Sequence, residues 1–447
     1  MQQGRQSIGS ITPMIDTASK KTFFIQGSWM LTATMASGIL MFAVHFFGGW
    51  MKASEYGLFV TLLQVLNLAM IPALGLQTVF AQQTALAKTP SELANLSISI
   101  RKVFLICIGI WSFTALLLLL LHTPILRILK INNSIPIYLT IAIGLPQLCL
   151  PILLGILQGQ QNFCWLGGTS ITNGLIRFLT VGILVAGLGM QANGAISGVL
   201  IGLVAAFTLA TWHGRNAWTK DSSLKGQFQP SYWLRRIVPL TLGLGAGQFM
   251  LSADMIAARI TLPDNDSGIY GAAGMIGRGL VIFTAPLAAV MLPKIIRSKD
   301  HEEQNILNHT FSRTAILSII FCSGCTLAAW FTPSITESVP ILSLKQKNIT
   351  NITSLVPYFV WSMLPLALAN VYVVALLAKE QYKGIPMLIL VATTYALTLI
   401  WLTNTPNIAN NVTIIFTLGL FNLCYLGLSR YLIIMRYNNT TSQSTNP

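Results

Sequence analysis

The chain has 447 residues, of which 53% are apolar and only 9% charged, and its mean hydropathy is +0.67. Soluble domains carry about 25% charged residues, so the composition excludes a soluble globular protein and defines an integral membrane one. The net charge of +15 is mostly a topological bias, as shown below, and is no nucleic-acid footprint.

A bilayer is crossed by an apolar helix of about 20 residues. Such stretches cover residues 24–46, 57–82, 103–122, 136–157, 167–188, 194–213, 237–261, 270–293, 314–332, 353–378, 385–402 and 413–434. The predicted fold class is therefore all-α and polytopic, with about twelve spans. The first stretch is too long for a signal-peptide core and lacks a small-residue cleavage site, so it is expected to be retained.

Basic residues set the orientation. On one side of the map only Lys52, Arg127, Lys130, Lys345 and Lys347 are found. Arg177, Arg259 and Arg278 lie inside spans, and the rest of the 27 Lys and Arg fall on the other side. The positive-inside rule then places both termini in the cytoplasm. Trp50, Trp330 and Trp401 at outer span ends, and Trp165 and Trp212 at inner ends, fit interfacial belts. The six cysteines are scattered. Cys322 and Cys325 have metal-like spacing but no second ligand pair, and read as small core residues.

The longest inner connection, residues 214–236, separates two sets of six spans. The predicted parts are a cytoplasmic tail (1–22), an N-lobe (23–213), the inter-lobe loop (214–236), a C-lobe (237–436) and a second cytoplasmic tail (437–447). A shift of 214 residues aligns Glu55-Tyr56-Gly57 with Ile269-Tyr270-Gly271, Pro72 with Pro286, His45 with Arg259, and Gln64 with Arg278. A shift of 219 aligns Pro146 with Pro365. Six is even, so the halves are parallel repeats about an axis along the membrane normal, with a cleft between them near the midplane. Intramembrane prolines and glycine-rich faces support a two-lobed, V-shaped transporter.

The seventh span carries Thr241, Gly245, Gln248, Ser252 and Arg259 on one stripe, with Asp254 on the opposite, small-residue face. Asp254 and Arg278 each sit roughly 10–12 Å below the outer surface, at 1.5 Å per residue. Adjacent antiparallel helices bring them into reach, so Asp254 is a candidate for a structural ion pair or for coupling. Arg177 has no acidic partner in view. Arg177, Arg278, Arg259 and His45 are the candidate cationic cavity residues, and Gln248, Ser252 and Gln64 the polar ones. A cavity so lined favours a phosphate-bearing anion over an organic cation.

KASEYGLFVTLLQVLNLAMIPALGLQTVFAQQTA (52–85), ILQGQQNFCWLG (156–167) and GIYGAAGMIGRGLVIFTAPLAAVMLPKI (268–295) resemble polysaccharide-biosynthesis flippases. These export O-antigen and teichoic-acid precursors, and belong to the multidrug/oligosaccharidyl-lipid/polysaccharide exporter superfamily. The resemblance covers nearly the whole chain and rests on diffuse patterns. It implies transfer of an anionic polyprenyl-pyrophosphate-linked saccharide across a prokaryotic inner membrane, with H+ or Na+ as a candidate coupling ion. Glycosyltransferases or a polymerase of the same pathway are the implied partners. The related lipid II flippases usually have fourteen spans; twelve are read here. The alternative is a cation-coupled multidrug antiporter built around Asp254. An enzyme is disfavoured, because no catalytic constellation, metal-ligand set or cofactor motif stands out.

Overall fold

The structure, a computed structural model, describes residues 17–219, 230–298, 300–338, 346–379, 381–405 and 407–444. The first part of the predicted N-terminal tail, the centre of the inter-lobe loop and the last residues of the C-terminal tail lie outside these. Every long element is helical. In chain order they are α1 (Thr17–Ala43, prolonged by a 3₁₀ turn Val44–Trp50), α2 (Ala53–Ala69 and Leu74–Leu86), α3 (Pro90–Leu120), α4 (Ile135–Gly159), α5 (Phe163–Val181) and α6 (Gln191–Gly214). They continue as α7 (Pro230–Thr261), α8 (Asp264–Arg297), α9 (Asp300–Ser338), α10 (Gln346–Ala378), α11 (Ile385–Thr403) and α12 (Asn411–Ser444). Among the described residues, eleven helices are long and apolar enough to cross a membrane, and the bent α2 brings the number to 12. The chain is a multi-pass membrane protein. Its outward-facing apolar side chains, such as Leu120, Ile320 and Leu397, have the exposure that lipid rewards and water does not.

Local chemistry explains the boundaries. Pro72 lacks the N–H that α2 needs, and the helix passes through a 3₁₀ turn there and bends by 41°. Pro286, its counterpart at the 214-residue shift, leaves α8 unbroken. α3 begins well before the predicted apolar limit of residue 103. Thr89 Oγ1 accepts from the Glu92 N–H at 3.3 Å, and Glu92 Oε2 accepts from the Thr89 N–H at 2.9 Å. This capping box, followed by Pro90 at the first helical position, nucleates the turn ahead of the membrane.

Packing is set by small residues. Gly198 and Gly202 form a ridge along α6 that lies directly on α5, and Gly194 continues it against Leu184 just beyond α5; a Cβ at Gly202 would stand 2.7 Å from the Cβ of Arg177. Glycine every fourth residue lets two membrane helices approach to backbone contact. The halves meet along α2, α7 and α8. At the end of the bundle away from the chain termini, here the distal end, Gly57 crosses Gly268, and a Cβ on Gly57 would stand 2.8 Å from the Gly268 nitrogen. Further along, Ile71 and Gly75 of α2 lie on Gly245 and Thr241 of α7, and at the opposite, proximal end Phe80 meets Trp233 with centroids 4.7 Å apart. The polar stripe of α7 thus faces the other half. α10 is the most enclosed helix, with α3 and α9 at the periphery.

Candidate functional site

Between the halves lies a cavity of about 670 Å³. α1 and its 3₁₀ turn supply Phe42, His45 and Phe46, α2 supplies Tyr56, α5 Phe178, and α8 and α10 close it from the other half. The walls are chiefly apolar and aromatic. The polar exception is a pair: His45 Nδ1 and the Tyr56 hydroxyl are 2.9 Å apart. Gly48 permits this arrangement, since a Cβ there would fall 2.5 Å from the Tyr56 ring. His45 also makes an edge contact with Phe42, centroids 6.0 Å apart, so its ring is held on three sides.

Arg177 lies one residue before the cavity wall on α5. Its neighbour Phe178 lines the wall, while the Arg177 Cβ itself lies against Gly202 of α6. Its Nε is sealed off with no hydrogen-bond partner, and no carboxylate among the described residues pairs with it. Arg177 as a whole is half-buried, and an intramembrane cation without an acidic partner marks a place where a ligand's negative charge is welcome.

Arg278 is held differently. Its Nη2 donates to both Asp254 oxygens, at 2.7 and 2.6 Å, and its Nε donates to the Leu251 carbonyl at 2.9 Å. The Tyr270 hydroxyl donates to Asp254 Oδ2 at 2.9 Å. Arg278 and Asp254 side chains are 2% and 0% exposed. Phe359 packs edge-on against Tyr270, and only a glycine at 274 leaves space for Nη1. That Nη1 has no hydrogen-bond partner. The equal depths read from the sequence therefore correspond to a direct pair between α7 and α8, enclosed within the second half.

Arg259 sits at the distal end of α7. It donates to the main-chain carbonyls of Leu129, Lys130 and Ser54, and to Ser267 Oγ. The remaining polar candidates stay within packed helices. Gln248 Nε2 donates to Ser252 Oγ at 3.2 Å, and Gln64 Nε2 points at Met275 Sδ, 3.9 Å away. Neither Gln64 nor Ser252 is more than 2% exposed, and none of the three lines the main cavity.

Two features escaped sequence reasoning. Tyr56 and Tyr270, aligned by the 214-residue shift, each bond a polar group on the preceding span, His45 and Asp254 respectively. The repeat carried that signal, but a tyrosine hydroxyl has no direction in a sequence. The second is Glu303, wholly buried at the proximal end of α9 and gripped by Arg436 at 2.6 and 2.8 Å, with Lys379 at 3.4 Å. Its position in an apparent inner loop hid it. Among the described residues no three His, Cys, Asp or Glu side chains gather as a metal site.

No family model matches the chain. An uncharacterized membrane protein of Methanocaldococcus jannaschii is 26% identical over 213 residues, 43% of this chain and 49% of that protein. The match thus spans about half the length of that relative. Among solved structures, the lipid II flippase MurJ in an inward closed conformation is similar with a TM-score of 0.64 at 13% identity, covering 95% of this chain and 94% of that one. An inward-facing multidrug resistance MATE family transporter of the MOP superfamily gives 0.60 at 13% identity, with coverages of 94% and 96%. A MOP superfamily transporter from Pyrococcus furiosus, described as having a binding pocket of reverse polarity, gives 0.53 at 13% identity, covering 93% of each chain. The chain has the fold of MOP-superfamily transporters, with two six-helix halves.

Proposed function

We propose that the protein carries an anionic polyprenyl-linked saccharide from one leaflet to the other by alternating access. One observation carries the reading. Among the described residues, Asp254 is the sole carboxylate deep within the spans, and Arg278 and Tyr270 occupy it, whereas Arg177, one residue before the cavity-lining Phe178, has no carboxylate partner. A phosphate on the substrate answers that charge, while the aromatic walls suit the apolar part of a lipid. Arg177 and His45 hold the head group. Arg278 adds a field tempered by Asp254. The rock between halves runs along α2, α7 and α8.

The bias in basic residues puts the termini and the proximal end in the cytoplasm and the distal end outside. The membrane is then the inner membrane of a prokaryote, and glycosyltransferases or a polymerase supply and consume the substrate. Any coupling ion is H+ or Na+. In proteoliposomes, transfer of a fluorescent polyprenyl-pyrophosphate oligosaccharide, read by a reagent confined to one side, tests the proposal. Transfer is expected with the native chain and lost with Arg177→Ala; equal rates in both overturn it. A second reading, a cation-coupled drug antiporter, is supported by the fold shared with multidrug transporters. It requires Asp254 to exchange Arg278 for a cation. Drug efflux lost in Asp254→Asn but kept in Arg177→Ala favours it.

A further inference from the structure

The distal end is closed by hydrogen bonds as well as by packing. Arg259 Nε donates to the Leu129 carbonyl at 3.0 Å, Nη2 to the Lys130 carbonyl at 3.0 Å, and Nη1 to the Ser54 carbonyl at 3.3 Å and Ser267 Oγ at 3.0 Å. The three carbonyls belong to the first half, two on the connection between α3 and α4 and one in the first turn of α2, while Arg259 and Ser267 belong to the second. Lys130 returns the contact, its Nζ donating to the Leu262 carbonyl at 2.7 Å. Lys130 adopts φ 52°, a left-handed conformation that a lysine rarely takes without compensating contacts. The nearest carboxylate, Asp264, stands 3.7 Å from Arg259 Nη1 and is itself partly exposed. Arg259 is therefore fastened mainly by neutral acceptors, unlike Arg278.

Around this clasp lies a polar recess of about 340 Å³, lined among others by Lys52, Glu55, Lys130, Asn193, Arg259 and Asp264. A polar recess of this size admits water, and water takes over donors and acceptors that are released. The clasp is thus strong in number, weak in charge pairing, and adjacent to the solvent that replaces it. Beneath it, the Gly57–Gly268 crossing brings the two backbones into contact, with the fully buried Val60 one turn further down.

We propose that Arg259 is a positioning residue that pins the distal gate. Its release, together with the turn at Leu262–Ser267, frees α7 and α8 from Ser54, Leu129 and Lys130 and opens the path to the cavity from the distal side. This rests on the alternating-access reading above, but its test needs no substrate. A chain with its six cysteines replaced by alanine carries Val60→Cys as reporter, and a membrane-impermeant maleimide is applied to the distal side in oriented proteoliposomes. Labelling is expected to be slow with Arg259 present and about tenfold or more faster in Arg259→Ala, since a ligand-free carrier then spends more time distally open. Arg259→Lys is expected between the two, because one ammonium cannot span carbonyls on both the α3–α4 connection and α2.

A second reporter, Ala375→Cys, lies buried at the proximal end of α10 and is expected to label no faster. Equal acceleration there means general loosening and overturns the gate. So does parent-rate labelling of Val60→Cys in folded Arg259→Ala. If that variant fails to insert, Lys130→Met, which deletes only the Nζ bond to Leu262, decides: faster labelling supports the gate and an unchanged rate overturns it. Lost saccharide transfer with an intact labelling response would sink the substrate reading alone.

Discussion

Asp254→Asn tests whether the pair with Arg278 holds the second half together. At an effective dielectric of 20 two unit charges 4 Å apart attract by about 4 kcal/mol, and here the atoms approach to 2.6 Å. Desolvating each ion costs several kcal/mol, so the intact pair nets little; removing one partner strands the other and costs about 3–5 kcal/mol. Asparagine preserves the shape of the site, and Arg278 Nε keeps its bond to the Leu251 carbonyl. What is lost is the charge facing Nη2, while Nη1 already lacks a partner. We expect Asp254→Asn to lower unfolding free energy by about 3 kcal/mol, and Arg278→Met by a similar amount. The double variant Asp254→Leu/Arg278→Met is expected to cost well below the sum, because matched apolar replacements of a buried pair are often neutral. Denaturant unfolding in detergent micelles, followed by tryptophan fluorescence, reads all three. A loss under about 0.5 kcal/mol for Asp254→Asn, or a double variant as unstable as the sum, refutes the reasoning.

Arg177→Ala is expected to leave stability unchanged or raise it, by relieving the unpartnered Nε, while transfer falls by about tenfold or more; a drop in unfolding free energy of about 2 kcal/mol would instead make Arg177 structural. Gly268→Ala places a Cβ against the Ala53 carbonyl, so α2 and α8 separate, and folded yield or distal closure in the thiol-labelling assay is expected to fail. Glu303→Gln weakens the grip of Arg436 and Lys379 and is expected to cost about 3 kcal/mol, with proteolysis at the proximal end of α9 as the readout. Tyr56→Phe removes one hydrogen bond from His45, a loss of about 1 kcal/mol, and thermal unfolding measures it.

Much of this molecule was decided by composition and order along the chain. Twelve apolar stretches become helices because a bilayer leaves backbone groups no partner but each other, and an even number in each half makes the repeats parallel. Matching depths of Asp254 and Arg278 follow from a rise of 1.5 Å per residue, which is geometry that one chain can state by counting. Counting cannot say which way a side chain leaves its helix. Three arginines of one type met three fates: Arg278 is neutralised inside the second half, Arg259 bonds carbonyls across the halves, and Arg177 stands half-buried without a carboxylate partner. Those outcomes depend on rotation about each helix axis and on partners more than 100 residues away in sequence, such as Leu129 for Arg259. Helix rotation is set by close packing at Gly57, Gly202 and Gly268, where a single methyl would displace a neighbour. Local sequence thus specified the helices and their depth, and the tertiary contacts alone determined which charges remain free.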